Sequence, residues 1–164
     1  MQLFCETYQV GDGVEIIEYN NLDKDTCLCL TDKNISACGI PIDLRVVKFH
    51  AFNVGTFISC IGGQNYIKIS KIVESKYGNI DYNVNIDTLV MPTDICSDNN
   101  GHIYVSGQGS NNIHRLTQDG KVVDIPLDSR HGITQPVALC FTKNYDKLYI
   151  VNEWGKSVLV FDVI

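Results

Sequence analysis

Side chains able to hold a metal, cradle a phosphate or move a proton are thinly spread along this 164-residue chain. Cys27-x-Cys29 with Cys38 gathers three thiols, whereas zinc sites usually pair two C-x2-C hooks or add histidines at short spacing. Residues two apart on a strand share a face, so Cys27 and Cys29 read as core packing. Asp98-Asn99-Asn100-Gly101 has the oxygen-rich start of a calcium loop but lacks its later acidic ligand, and reads better as a tight turn. Gly107-x-Gly109 follows a strand yet opens no helix, which makes an ordinary loop a better account than a phosphate cradle. His50, His102, His114 and His131 share no short spacing, and no nucleophile elbow, triad or carboxylate pair can be named. The sequence therefore assigns no catalytic residue, no metal ligand and no cofactor. Trp154 stands apart. A large aromatic in the polar turn Asn152-Glu153-Trp154-Gly155-Lys156 is either a recognition anchor or a lid on the core.

The elements that carry these residues belong to a globular chain, 45% apolar with a net charge of −6. Residues 1–90 hold 11 acidic and 7 basic side chains and residues 91–164 hold 8 and 6, so neither half is basic. Phosphate contacts supply most of the affinity for nucleic acid, and RNA is disfavoured as a partner on this charge. The opening residues Met1 to Tyr8 lack a charged region followed by an apolar one, and no stretch approaches 18 apolar residues. No export and no membrane span are expected. Seven cysteines, an odd number, sit mostly in apolar strand-like runs such as Val137 to Phe141, and imply reduced, buried thiols in a cytoplasmic protein.

A repeat of about 45 residues organises the chain. Pro92-Thr-Asp-Ile-Cys-Ser-Asp-Asn-Asn-Gly-His-Ile-Tyr-Val is followed by Asn112-Ile-His-Arg-Leu, and Pro136-Val-Ala-Leu-Cys-Phe-Thr-Lys-Asn-Tyr-Asp-Lys-Leu-Tyr-Ile by Ser157-Val-Leu-Val-Phe. β-branched and aromatic runs separated by Gly, Asn and Asp predict four strands in the better copy: a (Thr93 to Ser97), b (His102 to Ser106), c (Asn112 to Thr117) and d (Val122 to Leu127). Four strands every 45 residues predict an all-β propeller of antiparallel blades. Residues 1–44 are β-rich but cannot be phased on the repeat. Residues 45–87 form a degenerate blade that lacks the proline and the tight turn, residues 88–131 a full blade, and residues 132–164 a C-terminal blade with strands a to c.

The pattern Pro-x-x-Ile-x-x-Asp-x-x-Gly-x-Ile-Tyr-Val, then Asn-x-Ile-x-x-Leu-x-x-Asp-Gly, carried by Pro92 to Gly120, resembles the NHL repeat. The segment from Gly132 through Pro136 to Phe161 resembles the last blades of invertebrate tripartite-motif (TRIM-NHL) proteins. Residues 88–164 carry the likeness well and residues 45–87 loosely. It implies a six-bladed propeller for protein or RNA recognition, often in a ubiquitin ligase whose RING, B-box and coiled coil lie upstream. None of those modules is present here. Gluconolactonase-type propellers share parts of the pattern and hold a channel-mouth divalent ion with Glu, Asn and Asp, a role to which Asp94 and Asn152-Glu153 could be recruited. However, Ser106-Gly107 stands where such enzymes would show an acid.

Three functions follow in order: a non-catalytic module for a protein partner, a propeller hydrolase or lyase with a channel metal, and an RNA-binding surface. Six blades would need roughly 270 residues, so three to four are expected here, with open edges that favour self-association. In a meander, b-to-c loops and d-to-a linkers leave one end of the sheet. Gln108, Ser110, Arg130, His131, Glu153 and Trp154 should then share a face, and they form the candidate binding surface.

Overall fold

The computed structural model describes the backbone of residues 5–10, 13–18, 29–31, 34–37, 40–42, 46–53, 56–71 and 80–163, with side chains at 48–51, 56–71 and 80–163. Cys27 and Cys38 lie outside the described residues, and Cys29 is described as backbone only. The chain divides into two compact units. In the first, β1 (Cys5–Val10) pairs antiparallel with β2 (Gly13–Glu18), and β3 (Cys29–Thr31), β4 (Asn34–Ala37) and β5 (Ile40–Ile42) form an antiparallel meander.

The second unit, Val46–Lys71 with Ile80–Ile164, holds three antiparallel meander sheets. The first sheet contains β6 (Val46–Asn53), β7 (Thr56–Ile61), β8 (Tyr66–Lys71) and β9 (Ile80–Asn85). The middle sheet contains β10 (Pro92–Ser97), β11 (Ile103–Gly107), β12 (Asn112–Leu116) and β13 (Val122–Asp128). The last contains β14 (Ala138–Phe141), β15 (Lys147–Asn152) and β16 (Ser157–Asp162). Helical structure among the described residues is confined to the three-residue turns Ser129–His131 and Glu153–Gly155. Among the described residues, no helix is long and apolar enough to cross a membrane. The architecture is all-β, with the first two sheets of this unit forming four-stranded antiparallel blades and the last a three-stranded one.

Turn chemistry sets the strand lengths. At the β10–β11 hairpin, Asp98 accepts from the amides of Asn100 and His102 through Oδ1, at 2.9 and 2.8 Å, and Gly101 takes a φ of 79°. His102 Nδ1 lies 3.0 Å from Asp98 Oδ2. The calcium-loop carboxylate is thus committed to its own turn, because an Asx side chain that caps backbone amides stabilises this geometry locally.

Alternation along the strands places the sheets face to face. On β11, Ile103 and Val105 point toward the first sheet and join Ile58, Cys60, Ile67 and Ile69 in one core. Tyr104, between them, points the other way and packs with Ile113, Leu139, Leu148 and Ile150 in a second core. Each fully buried Ile contributes about 1.5–3 kcal/mol of apolar transfer. β10 lies against both β6 and β14, so the three a strands stand side by side.

The last sheet departs from this pattern. Cys140 pairs with Tyr149 as Cys96 pairs with Tyr104, yet Tyr104 is 7% exposed and Tyr149 is 36%. Ile113 is fully buried, while its counterpart Val158 is 57% exposed and Val160 is 50%. The expectation of buried thiols holds for Cys60 and is corrected at Cys140, which is exposed. An apolar strand supplies one wall of a core, and cover for its other face must come from a neighbour.

Candidate functional site

Two linkers and three b-to-c connections are stitched to one another by backbone-directed hydrogen bonds, and these bonds put them on one face. The β9–β10 linker is clipped to the β11–β12 connection. Gln108 and Gly109 donate their amides to the carbonyls of Met91 and Val90 at 3.0 and 2.9 Å, Val90 N donates to Ser110 Oγ at 3.0 Å, and Asn112 Nδ2 donates to Thr88 O at 3.0 Å. The β13–β14 linker is clipped in the same way to the β15–β16 connection. Thr134 N donates to Asn152 Oδ1 at 2.8 Å, Asn152 Nδ2 to Gly132 O at 3.0 Å, and Glu153 N to Thr134 O at 2.8 Å.

A second bond ties each linker back to the preceding sheet. Asn65 Oδ1 accepts from Met91 N at 3.0 Å, and Asn111 Oδ1 accepts from Gln135 N at 2.8 Å. Met91 and Gln135, each just before a proline, hold left-handed φ values of 52° and 45°. This device explains the Gly-x-Gly spacing. A Cβ on Gly107 would collide with Ser110 and Asn112, and one on Gly109 would meet Val90 Cγ1 at 2.7 Å. The glycines let the loop close on the linker rather than on a phosphate.

The six candidate residues fall into two groups by exposure. Gln108 is buried and Ser110 is spent on Val90 N and on Asn112 Oδ1, to which its hydroxyl donates at 2.7 Å. These two residues build the loop and offer little surface. Their loop composition alone looks exposed, because burial here comes from the distant linker.

Arg130, His131, Glu153 and Trp154 are exposed. Asp128 caps the turn that carries Arg130 and His131, accepting from Arg130 N at 2.9 Å and from Arg130 Nη2 at 2.6 Å, with His131 Nδ1 at 3.1 Å. The Arg130 guanidinium holds the Asp128 carboxyl at about 2. Glu153 Oε2 accepts from Ser157 Oγ at 3.0 Å. Trp154 is 59% exposed and so is no lid on the core. Glu153, Trp154 and Gly155 run through φ values of 51°, 57° and 93°, a left-handed turn that costs a non-glycine residue roughly 1–2 kcal/mol. A shallow pocket of about 270 Å³, lined by Asn65, Asp87, Leu89 and Val90 among others, opens beside the first linker.

The adjacent strands β6, β10 and β14 carry a separate polar cluster. Asp94, 5% exposed, meets Lys48 Nζ at 2.8 Å from the first sheet and accepts Leu139 N at 2.7 Å from the last. Its Oδ1 also accepts Ile95 N at 2.8 Å. Thr93 Oγ1 donates to Pro136 O at 3.0 Å. His50 Nε2 lies 3.1 Å from Ser97 Oγ, and burial, aided by Lys48, holds its pKa down to about 4. Burial also pushes the thiols of Cys60 and Cys96 upward, which keeps them protonated. His114, fully buried on β12, bonds Thr88 Oγ1 through Nε2 at 2.8 Å, and its Nδ1 has no partner among the described residues. Burial holds it, too, at about 4. No sequence signal marked Asp94 as the residue joining three sheets. Its two oxygens, like the single Oδ1 of Asn152, hold backbone amides in place.

Solved structures similar to this chain are propellers. The β-propeller domain of Myceliophteria thermophila Cps50 (Swd1) matches with a TM-score of 0.61 and 11% identity over 99% of this chain and 49% of its own. Kluyveromyces lactis Hsv2 matches at 0.57 and 15%, over 99% and 48%. Virginiamycin B lyase from Staphylococcus aureus matches at 0.51 and 18%, over 93% and 49%. The chain spans about half the length of these structures. No protein-family model and no curated protein matches it.

Proposed function

We propose that this chain is a non-catalytic binding module that engages a protein partner through the face of linkers and b-to-c connections, with Trp154 as the anchor and Arg130, His131 and Glu153 around it. The observation that carries this reading is the Trp154 turn. Its indole is mostly in water, its amide is bonded to Gln135 O at 3.3 Å, and its backbone is held left-handed by the clip to the linker. A preorganised aromatic loses little freedom on binding, and local strain of this kind concentrates at functional sites. Trp and Arg are also enriched among residues that dominate binding energy.

The repeat pattern of Pro92 to Gly120 supports the NHL type of module, and substrate recognition in a TRIM-type ubiquitin ligase is the finer form of this reading, supported by the sequence resemblance alone. A metal-dependent lyase would draw on Asp94, Asn152 and Glu153, whose polar atoms already serve Leu139 N, Thr134 N and Ser157 Oγ. RNA is less suited, since Arg130, the one cation among the four exposed candidates apart from His131, is paired with Asp128.

The test compares Arg130→Ala and Trp154→Ala with the unmodified protein in a pull-down from cell extract, with folding checked by circular dichroism. The Trp154 variant is expected to lose about 2 kcal/mol, roughly 30-fold, against a partner that the unmodified protein retains. Two folded variants that keep every partner would overturn the assignment of this face.

A further inference from the structure

We infer that the pocket beside the first linker receives a lysine side chain of the protein partner, an inference that rests on the proposed binding face and names the chemistry taken there. The pocket lies where the β7–β8 connection, the end of β9 and the β9–β10 linker meet. Ile86 and Leu89 are buried and give it an apolar floor, while Asn65, Asn85 and Asp87 are exposed and give it a polar rim. Its volume of about 270 Å³ falls below the range that encloses a drug-sized ligand, and suits a single side chain.

Asp87 sets the charge of the occupant. Every other aspartate or glutamate whose side chain is described pairs with a Lys, Arg or His or accepts from a hydroxyl, whereas Asp87 has neither kind of partner among the described residues. The carboxylate is nevertheless held in place. Thr88, the next residue, bonds Asn112 Nδ2 through its carbonyl at 3.0 Å and the buried His114 Nε2 through its hydroxyl at 2.8 Å, and Leu89 N donates to Ile86 O at 2.9 Å around it. Asn65, on the facing connection, is fixed by Met91 N at 3.0 Å. The linker does not need an acid to close. Five residues before its proline the first linker has Asp87 and the second has His131, yet both carry the same asparagine clips. An anchored carboxylate left in water loses little freedom on binding. A lysine ammonium is a compact charge with three donors, which matches one carboxylate and two carboxamide oxygens, and the Asn65 oxygen keeps a lone pair after accepting Met91 N. The methylene stem of such a lysine would lie on Ile86 and Leu89.

Titration of the full chain with Nα-acetyl-lysine amide, followed by nitrogen–proton correlation NMR at low salt, tests this. Saturable shifts are expected at the side-chain amides of Asn65 and Asn85 and at Leu89 N, with a dissociation constant in the millimolar range that rises with salt. Asp87→Asn, at an exposed position that bonds nothing in the fold, should weaken binding about two- to five-fold, as the loss of an exposed ion pair does. The same compound acetylated on Nε should bind several-fold more weakly to the unmodified protein, a comparison that stands even if the variant fails to fold. No saturable shift at these three groups, equal binding by a folded Asp87→Asn variant, or equal binding of the Nε-acetylated compound would overturn the inference. Trp154→Ala should leave this titration unchanged, so the lysine pocket and the Trp154 anchor can fail separately.

Discussion

The middle and last sheets are nearly the same sentence of sequence placed in two surroundings. Ile103-Tyr104-Val105 and Leu148-Tyr149-Ile150 both pair with an a strand and a c strand in matching register. One tyrosine is buried and the other is half in water. The difference lies outside the strands. Residue type decides that a side chain can be buried, and the neighbouring sheet decides whether it is. Repeat proteins make this plain because each unit draws its stability from intrinsic terms plus the interface with its neighbours.

Mutating matched positions should separate those two terms. Tyr104→Ala removes a buried ring that packs on Phe141 and is expected to cost about 3–5 kcal/mol, whereas Tyr149→Ala should stay within about 1 kcal/mol. Urea denaturation of both variants measures this, and equal losses would show that the last sheet is covered after all. Asp94→Ala should cost about 2–3 kcal/mol, less than a fully buried ion pair because Lys48 is 41% exposed. The loss should fall on the joints between sheets, visible as faster hydrogen exchange at Leu139 N, which the carboxylate holds.

A third contrast is in pH. His114 in the middle sheet has Leu159 as its counterpart in the last, and burial lowers its pKa from 6.5 to about 4. A depressed folded-state value means that the unfolded chain binds the proton first. The stabilisation is therefore complete above about 6.5, is lost as pH falls, and is gone near 4. Linkage gives about 2 kcal/mol between pH 7 and pH 5 for this one group. His114→Leu should flatten the stability profile over that window by this amount, leaving the slope due to His50. An unchanged slope would show that His114 does not titrate with folding.

The strands were legible from the sequence because turn residues act locally. Asp98 to Gly101 and Asp119-Gly120 need only their own backbone to form a turn, so the four strands of the middle sheet could be placed to within about a residue. The site was legible only in outline. Strand direction alone gathers the linkers and b-to-c connections at one end, but left-handed φ at Met91, Gln135, Glu153 and Trp154 has no glycine to announce it. Gln108 is held by the carbonyl of Met91, which lies on another element. Asp94 looks like any strand carboxylate until two neighbouring sheets are set beside it. Such facts belong to contacts between repeats, and a pattern within one repeat cannot hold them.

The asparagine clips at Met91 and Gln135 give the molecule a pair of internal clocks. Each amide sits in a surface linker, where an unbonded N–H would exchange with solvent within moments, yet each is held by a side chain from the sheet before it. Its exchange therefore waits on the parting of those two elements. The Met91 amide times the joint between the first and middle sheets, and the Gln135 amide times the joint between the middle and the last. Read together in one deuteration experiment, they would show whether the blades come apart singly or in one cooperative step.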